Sequence, residues 1–190
     1  MVFTEESRFE LFPKRKVRVR RTATERFLPA CVAPAVQQGG ESVMVLGCIT
    51  FEGPGELHFV DGSMNSDSYC RIMEEVMLPC VTRLLGESFI LQPDNAPCHK
   101  SRQTMQWFAD NDVEVLPWPA RSLDLNPIEN IWNTMAQRLA KKKPSSKNEL
   151  RLMLAHLWRQ ITKDECLKLI DSMPKRVKEC KRARGGPIDY

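Results

Sequence analysis

SFILQPDNAPCHKSRQTMQWFADNDVEVLPWPARSLDLNPIENIW, residues 88–132, opens with a short apolar run, Phe89-Ile90-Leu91, bounded by turn formers. Such a run reads as a buried strand. Asp94 stands just past its end, where open α/β sheets place their chemistry. Lys100 to Asp110 reads as a helix and Val113 to Leu116 as a second short strand. Strand, helix, strand in that order predicts a parallel crossover unit. Pro117, Trp118 and Pro119 then begin a rigid loop leading to Asn126-Pro127-Ile128-Glu129.

Those four residues announce a helix. Asn126 suits the N-cap, Pro127 the first helical position, and Glu129 the third. Ile128, Ile131, Trp132, Met135 and Leu139 follow at helical spacing, so one face is buried. Taken alone, Glu129 reads equally well as the return partner of a capping box. Asp94 followed by Asn95 is likewise a common turn opener.

The two acids gain meaning together with the words around them. The strings DNAPCH and SLDLNPIENIW, with 34 residues between Asp94 and Glu129, resemble the second and third acidic motifs of Tc/mariner-type transposases. These belong to the DDE transposase and integrase class, whose fold is ribonuclease-H-like. The resemblance continues through GGESVMVLGCITFEGPGELHFVDGSMNSDSY upstream and SMPKRVKECKRARGGPIDY at the end, so it covers nearly all 190 residues. FTEESRF near the start resembles the first acidic motif, with Glu5 where the family has Asp. Pro93 and Leu123 are two further departures, standing where the family more often has a polar residue and a proline.

The resemblance implies an α/β fold of one domain over 1–190: a catalytic core over about 1–140 and a helical C-terminal part over about 145–184. A five-stranded mixed sheet flanked by helices is expected, with the first strand at Val2-Phe3-Thr4 and Glu5 at its end. It implies that Glu5, Asp94 and Glu129 hold two Mg²⁺ or Mn²⁺ ions and carry DNA strand cleavage and transfer, the chemistry that two bridged metals perform. Glu5 and Glu6 are neighbours on an extended backbone, so only one of them is expected to face the site. Asn95 and His99 are expected at the site's edge. His99 reads equally as a loop residue, and beside Cys98 it lacks the further ligands at a recognisable spacing that zinc would need. The family carries paired helix-turn-helix modules ahead of this domain, and these are expected to be absent from this chain. DNA is the expected partner, with a homodimer as a further expectation. The alternative is a non-catalytic descendant that binds DNA or a protein partner.

Charge supports an anionic partner independently. The net charge is only +4, but residues 14–26 hold seven Lys/Arg against Glu25, and residues 175–184 hold six against Glu179. Lys14, Lys16, Arg18 and Arg20 fall on one face of an alternating run, and Lys175, Arg176, Lys178, Lys181 and Arg182 form the second cluster. Such clustering points to a phosphate backbone, a solvated charged face or charged protection of a strand edge being the plainer readings. No apolar run approaches the ~18 residues of a membrane span, and the N-terminus has no secretory pattern. Seven cysteines without a C-x-x-C spacing argue against a disulfide framework or zinc ribbon. The expected setting is nuclear or cytosolic, and Lys141-Lys142-Lys143-Pro144 is a weak candidate nuclear signal. A central strand over Ser42–Phe51, a hairpin through Gly53-Pro54-Gly55, and helices starting at Asn65 or Ser66, Ser146 and Thr162 complete the expectations.

Overall fold

The computed structural model describes residues 1–11, 41–119, 122–186 and 188. The basic run with Lys14, Lys16, Arg18 and Arg20 lies outside the described residues. β1 (Val2–Glu10) forms the middle of the sheet. It pairs antiparallel with β2 (Ser42–Thr50) on one side and parallel with β5 (Ile90–Gln92) on the other. β6 (Glu114–Val115) continues the sheet parallel to β5, as the strand–helix–strand pattern predicts. On the far edge, β3 (Gly53–Pro54) and β4 (His58–Val60) both pair antiparallel with β2. The sheet is therefore mixed, with six strands among the described residues in place of the five expected.

The extra strand comes from a break in one edge row. The Gly55 N–H donates back to the Cys48 carbonyl at 2.8 Å, and the Gly55 carbonyl accepts the Trp158 indole N–H at 2.8 Å. With the Gly55 carbonyl turned to Trp158, the ladder to β2 stops and resumes at His58. A Cβ at Gly55 would lie 2.3 Å from Cys48 Sγ, so only glycine fits this close approach.

β1 is also longer than expected: its nine residues place Glu5 inside the strand. Alternation sends odd and even positions to opposite faces. Phe3 and Phe9 join Val43, Val45 and Ile49 of β2 in a core on one side of the sheet, whereas Val2 joins Leu46, Tyr69 and Phe108 on the other. Glu5 pairs with Gly47, and Glu6 with Leu46.

α1 (Ser66–Ile72) is capped by Asn65, whose side chain accepts the Ser68 N–H while the Ser68 hydroxyl accepts the Asn65 N–H. Its continuation, α2 (Leu78–Leu85), is reached through a π-helical turn at Met73–Met77. Pro79 cannot donate a helical hydrogen bond, and the wider turn before it accommodates the lost register. α3 (Arg102–Asp110) is capped by Ser101. α4 (Ile128–Lys142), α5 (Lys147–Arg159), α6 (Lys163–Asp171) and α7 (Met173–Arg182) complete the chain. At Thr162 the capping box is complete, but Glu149 reaches the Ser145 N–H instead of that of Ser146.

Two tryptophans lock α4 and α5 onto the sheet. Trp132 and Trp158 stack with ring centroids 5.1 Å apart, and a Cβ at Gly47 would come within 2.8 Å of Trp132. Truncating a buried tryptophan of this kind costs about 3–5 kcal/mol. Because Gly47 is the partner of Glu5, this packing holds α4 against the sheet face that Glu5 occupies. The described cysteines are all free thiols. Among the described residues no helix is long and apolar enough to cross a membrane.

Candidate active site

Parallel pairing between β1 and β5 ends at Phe3 and Gln92. β5 ends there, and Glu5 and Asp94 follow just beyond the last paired residues. Both line a cleft of about 440 Å³, together with Gln92, Asn95, Trp118 and Asn126. Glu129 enters from the first turn of α4. It is not among the cleft-lining residues, but burial and then the charge of Asp94 raise its carboxyl. The charges of Asp94 and Glu129 both act on Glu5. The first and third acids are thus coupled to the second across three separate elements.

Glu5 carries the strain of this crowding. Only 7% exposed, its carboxyl is pushed up to about 8 by burial, then by Asp94, Glu6 and Glu129. The counterweight is Asn126, whose side-chain N–H₂ donates to Glu5 Oε2 at 3.0 Å. Asn126 was expected to cap α4. Pro127 occupies that place, without a side-chain cap bond, and Glu129 sits at the second helical position. The capping-box reading of Glu129 therefore falls, because the asparagine that would anchor the box is turned toward Glu5.

Asp94 is held from behind. Its Oδ1 accepts the Ala96 N–H at 2.8 Å and also meets His99 Nδ1 in a very short hydrogen bond. His99 Nε2 reaches Glu6 Oε1 at 2.9 Å, and the imidazole lies against the Tyr69 ring with centroids 4.1 Å apart. Burial would raise the Asp94 carboxyl, yet the bonds from His99 and Ala96 hold it below the usual carboxylate range. His99 is opposed in the same way: burial lowers it, and its bonds to Asp94 and Glu6 lift it to about 10. It is an imidazolium that donates from both nitrogens.

His99 is therefore neither a loosely placed edge residue nor a loop histidine satisfied by backbone. The ligand atoms of Glu6, Asp94 and His99 lie within 4.8 Å of one another. His99 Nδ1 meets Asp94 and Nε2 meets Glu6, so the trio forms a hydrogen-bonded brace behind Asp94. Glu6 is the residue that alternation misled. It does face away from Glu5, but His99 carries its charge back to Asp94. The position of His99, five residues after Asp94, is the signal the sequence offers; its partner on β1 is not visible there.

The cleft fits a hard divalent cation. Such ions prefer carboxylate and carbonyl oxygens. Besides Glu5 and Asp94, the cleft is lined by three carboxamides whose oxygens, Gln92 Oε1, Asn95 Oδ1 and Asn126 Oδ1, are buried with no hydrogen-bond partner. Buried acceptors without partners are costly. The Asn95 side-chain N–H₂ donates to the Trp118 carbonyl at 2.9 Å, which fixes its orientation. Asn95 thus lines the cleft beside Asp94.

The second basic cluster divides. Lys175, Lys178, Lys181 and Arg182 are exposed on α7. Arg176 is 2% exposed, and its guanidinium is bonded to Ser172, Asp124 and Asn130. It cannot present itself to a phosphate backbone, and that expectation is corrected. Helical spacing alone separates Arg176 from its neighbours, which point outward.

Comparison with known proteins agrees with the geometry. Residues 1–151 match the family described as DDE superfamily endonuclease. The transposable element Tcb1 transposase of Caenorhabditis briggsae is 35% identical over 190 residues, spanning all of this chain and 70% of that protein. The transposable element Tc1 transposase of Caenorhabditis elegans is 36% identical over the same spans. Among solved structures, a pre-cleavage Mos1 transpososome aligns with a TM-score of 0.81 at 20% identity, covering 99% of this chain and 56% of that one. The Mos1 transposase catalytic domain with raltegravir and Mg gives 0.77 at 18% identity, covering 99% and 85%. The expected ribonuclease-H-like fold is the fold observed.

Proposed function

The chain belongs to the DDE superfamily endonucleases, alongside the Tc1-type transposases, and from this we propose that it cuts DNA strands and joins the freed ends to target DNA. Glu5, Asp94 and Glu129 are the proposed ligands of two Mg²⁺ or Mn²⁺ ions. The observation that carries the reading is the meeting of Glu5 and Asp94 in one cleft that the side chains of Gln92, Asn95 and Asn126 also line. Solved Mos1 catalytic domains contain Mg or Mn, and a Mos1 paired-end complex contains the left transposon end.

Bound there, the metal would activate a water or 3′-hydroxyl and stabilise the leaving oxygen. The chain's own residues set the stage for this. His99 and Ala96 both engage Asp94 Oδ1, so neither of these bonds occupies Oδ2. Asn126 engages Glu5 Oε2, which leaves Oε1. Glu129 adds its carboxylate from α4, a separately packed element. Trp118 and the exposed Leu123 line the mouth, where they limit water and meet the nucleotide.

Phosphate contacts fall to Lys175, Lys178, Lys181 and Arg182 on α7, with Lys14, Lys16, Arg18 and Arg20 as further contacts. Two copies acting on paired ends, in the nucleus, complete the proposal. The test is nicking of supercoiled DNA by the purified chain in Mg²⁺ or Mn²⁺. Metal-dependent nicking that disappears in Asp94→Asn and Glu129→Gln supports the reading. Nicking that survives both substitutions, or proceeds in chelator, overturns it.

A further inference from the structure

The third acidic motif is anchored from a part of the chain that the matched family span, residues 1–151, does not reach. Asp124 lies in the short 3₁₀ turn Leu123–Leu125 just ahead of α4, and Asn130 lies in the first turn of α4, next to Glu129. Arg176 of α7 spans the two. Its Nη1 donates to the Asp124 carbonyl at 3.1 Å and its Nη2 to Asn130 Oδ1 at 2.8 Å, while Nε donates to Ser172 Oγ at 2.7 Å on its own side. The Ile188 N–H adds a bond to Asp124 Oδ2 at 3.2 Å. Between the two anchor points sits Asn126, which lines the cleft and bonds Glu5.

We infer that Arg176 is a positioning residue for the metal site: its fork clamps the turn before α4 to the first turn of α4, and so sets Asn126 and Glu129. The guanidinium is suited to this because it is planar and offers several donors in fixed directions. Lysine carries the same charge but one rotatable donor group, and cannot hold two acceptors on different turns in the same way. The hydrogen-bonding groups behind metal ligands orient them, and losing one typically costs about 10–100-fold in metal affinity. On this account the C-terminal helices do more than close the core. They complete the active site.

The inference rests on the metal-site reading above, and the experiment separates the two. The full chain, labelled with ¹⁵N, is titrated with Mn²⁺ by electron paramagnetic resonance, and the Asn126 side-chain amide resonances are assigned by their loss in Asn126→Ala. Arg176→Ala and Arg176→Lys are expected to shift those resonances without metal and to weaken Mn²⁺ binding about 10-fold or more. Cys166→Ala, at a fully buried position of α6, is expected to lower thermal stability and leave both readouts unchanged. If Arg176→Ala does not fold, Arg176→Lys decides. Unchanged Asn126 resonances and affinity in the Arg176 variants overturn the inference, as does an equal loss in Cys166→Ala. A wild type that binds no Mn²⁺ overturns the metal-site reading instead, and the resonances alone then decide whether Arg176 sets Asn126.

Discussion

Asn126 donates its side-chain amide to Glu5 Oε2 at 3.0 Å, joining the third acidic motif to the first strand across 121 residues of sequence. Both residues are buried, at 2% and 7% exposure. The bond gives the residue before Pro127 a purpose other than helix capping. It aligns Glu5 and works against the charge crowding around it.

Replacing Asn126 with Ala removes the donor and leaves the Glu5 carboxyl buried without it. A loss of about 1–3 kcal/mol in stability is expected, the usual penalty for a buried polar group left unpaired. Metal affinity should fall about 10–100-fold. Denaturant unfolding and Mn²⁺ titration measure the two effects. A variant as stable and as metal-competent as the wild type would show that the bond contributes nothing.

Glu5 also makes the metal-free protein sensitive to pH. Burial and then the charges of Asp94, Glu6 and Glu129 hold its carboxyl up to about 8, against an ordinary 4.5. Between these values the folded chain keeps a proton that the unfolded chain has released. Stability is therefore full below about 4.5 and is lost as pH rises through about 8. His99, which burial lowers but Asp94 and Glu6 hold at about 10, acts in the same direction and is present in every variant. Melting temperatures in chelator from acid to pH 9 should fall more steeply for the wild type than for Glu5→Gln. Parallel curves would mean that Glu5 titrates as an ordinary carboxylate.

His99 braces Asp94 against Glu6, and its removal should be felt in both stability and metal binding. In His99→Ala two carboxylates lose the cation between them. Breaking a fully buried pair costs about 3–5 kcal/mol. The Asp94 side chain is 35% exposed, so solvent reduces the expected loss to on the order of 2 kcal/mol. Adding Glu6→Gln should restore part of that stability, because one of the opposed charges is gone. A double-mutant cycle checks this, and strict additivity of the two substitutions would count against the brace.

The parts of this molecule that sequence reveals are those set by local chemistry and period. The apolar run Phe89-Ile90-Leu91 overlaps β5 (Ile90–Gln92), the helix expected over 100–110 runs over Arg102–Asp110, and the apolar stripe of Ile128, Ile131, Trp132, Met135 and Leu139 is where its pattern puts it. What escaped notice depends on partners far along the chain. Asn126 is a good cap by composition, and only the proximity of Glu5 takes its side chain elsewhere. Arg176 reads as one more base in a basic helix until Asp124 and Asn130, on other elements, bury it. Glu6 could be excluded from the cleft by alternation, but its link to Asp94 runs through His99, 93 residues away. Gly55 breaks an edge strand because Trp158, 103 residues on, takes its carbonyl.

Glu5→Asp is expected to speed metal-dependent cleavage. Glutamate carries one methylene more than aspartate, which moves its carboxylate by roughly 1.5 Å. Mg²⁺ requires near-octahedral oxygens at about 2.0–2.1 Å, and productive sites are held within about 0.5 Å. A displacement of about 1 Å can cost 10²-fold in rate. Were Glu5 at a strand end, the backbone could absorb some of the difference. It is instead inside β1, in register with Gly47, which the rings of Trp132 and Trp158 leave no room to move. The adjustment therefore falls on the side chain, and there the bond from Asn126 holds Oε2. Shortening the residue draws the carboxylate back toward the strand and gives up that bond, at a net cost of about 1 kcal/mol. The expected result is thus a slightly less stable protein that cleaves faster in Mg²⁺, up to about 10²-fold, with a smaller gain in the more permissive Mn²⁺. Wild type and Glu5→Asp are compared on the same DNA, each fused to a helix-turn-helix module that supplies binding. Equal rates would make Glu5 a competent ligand as it stands. If neither protein cuts while both bind Mn²⁺, the defect lies outside Glu5, and the chain is a non-catalytic descendant of its family that has kept the metal site without the reaction.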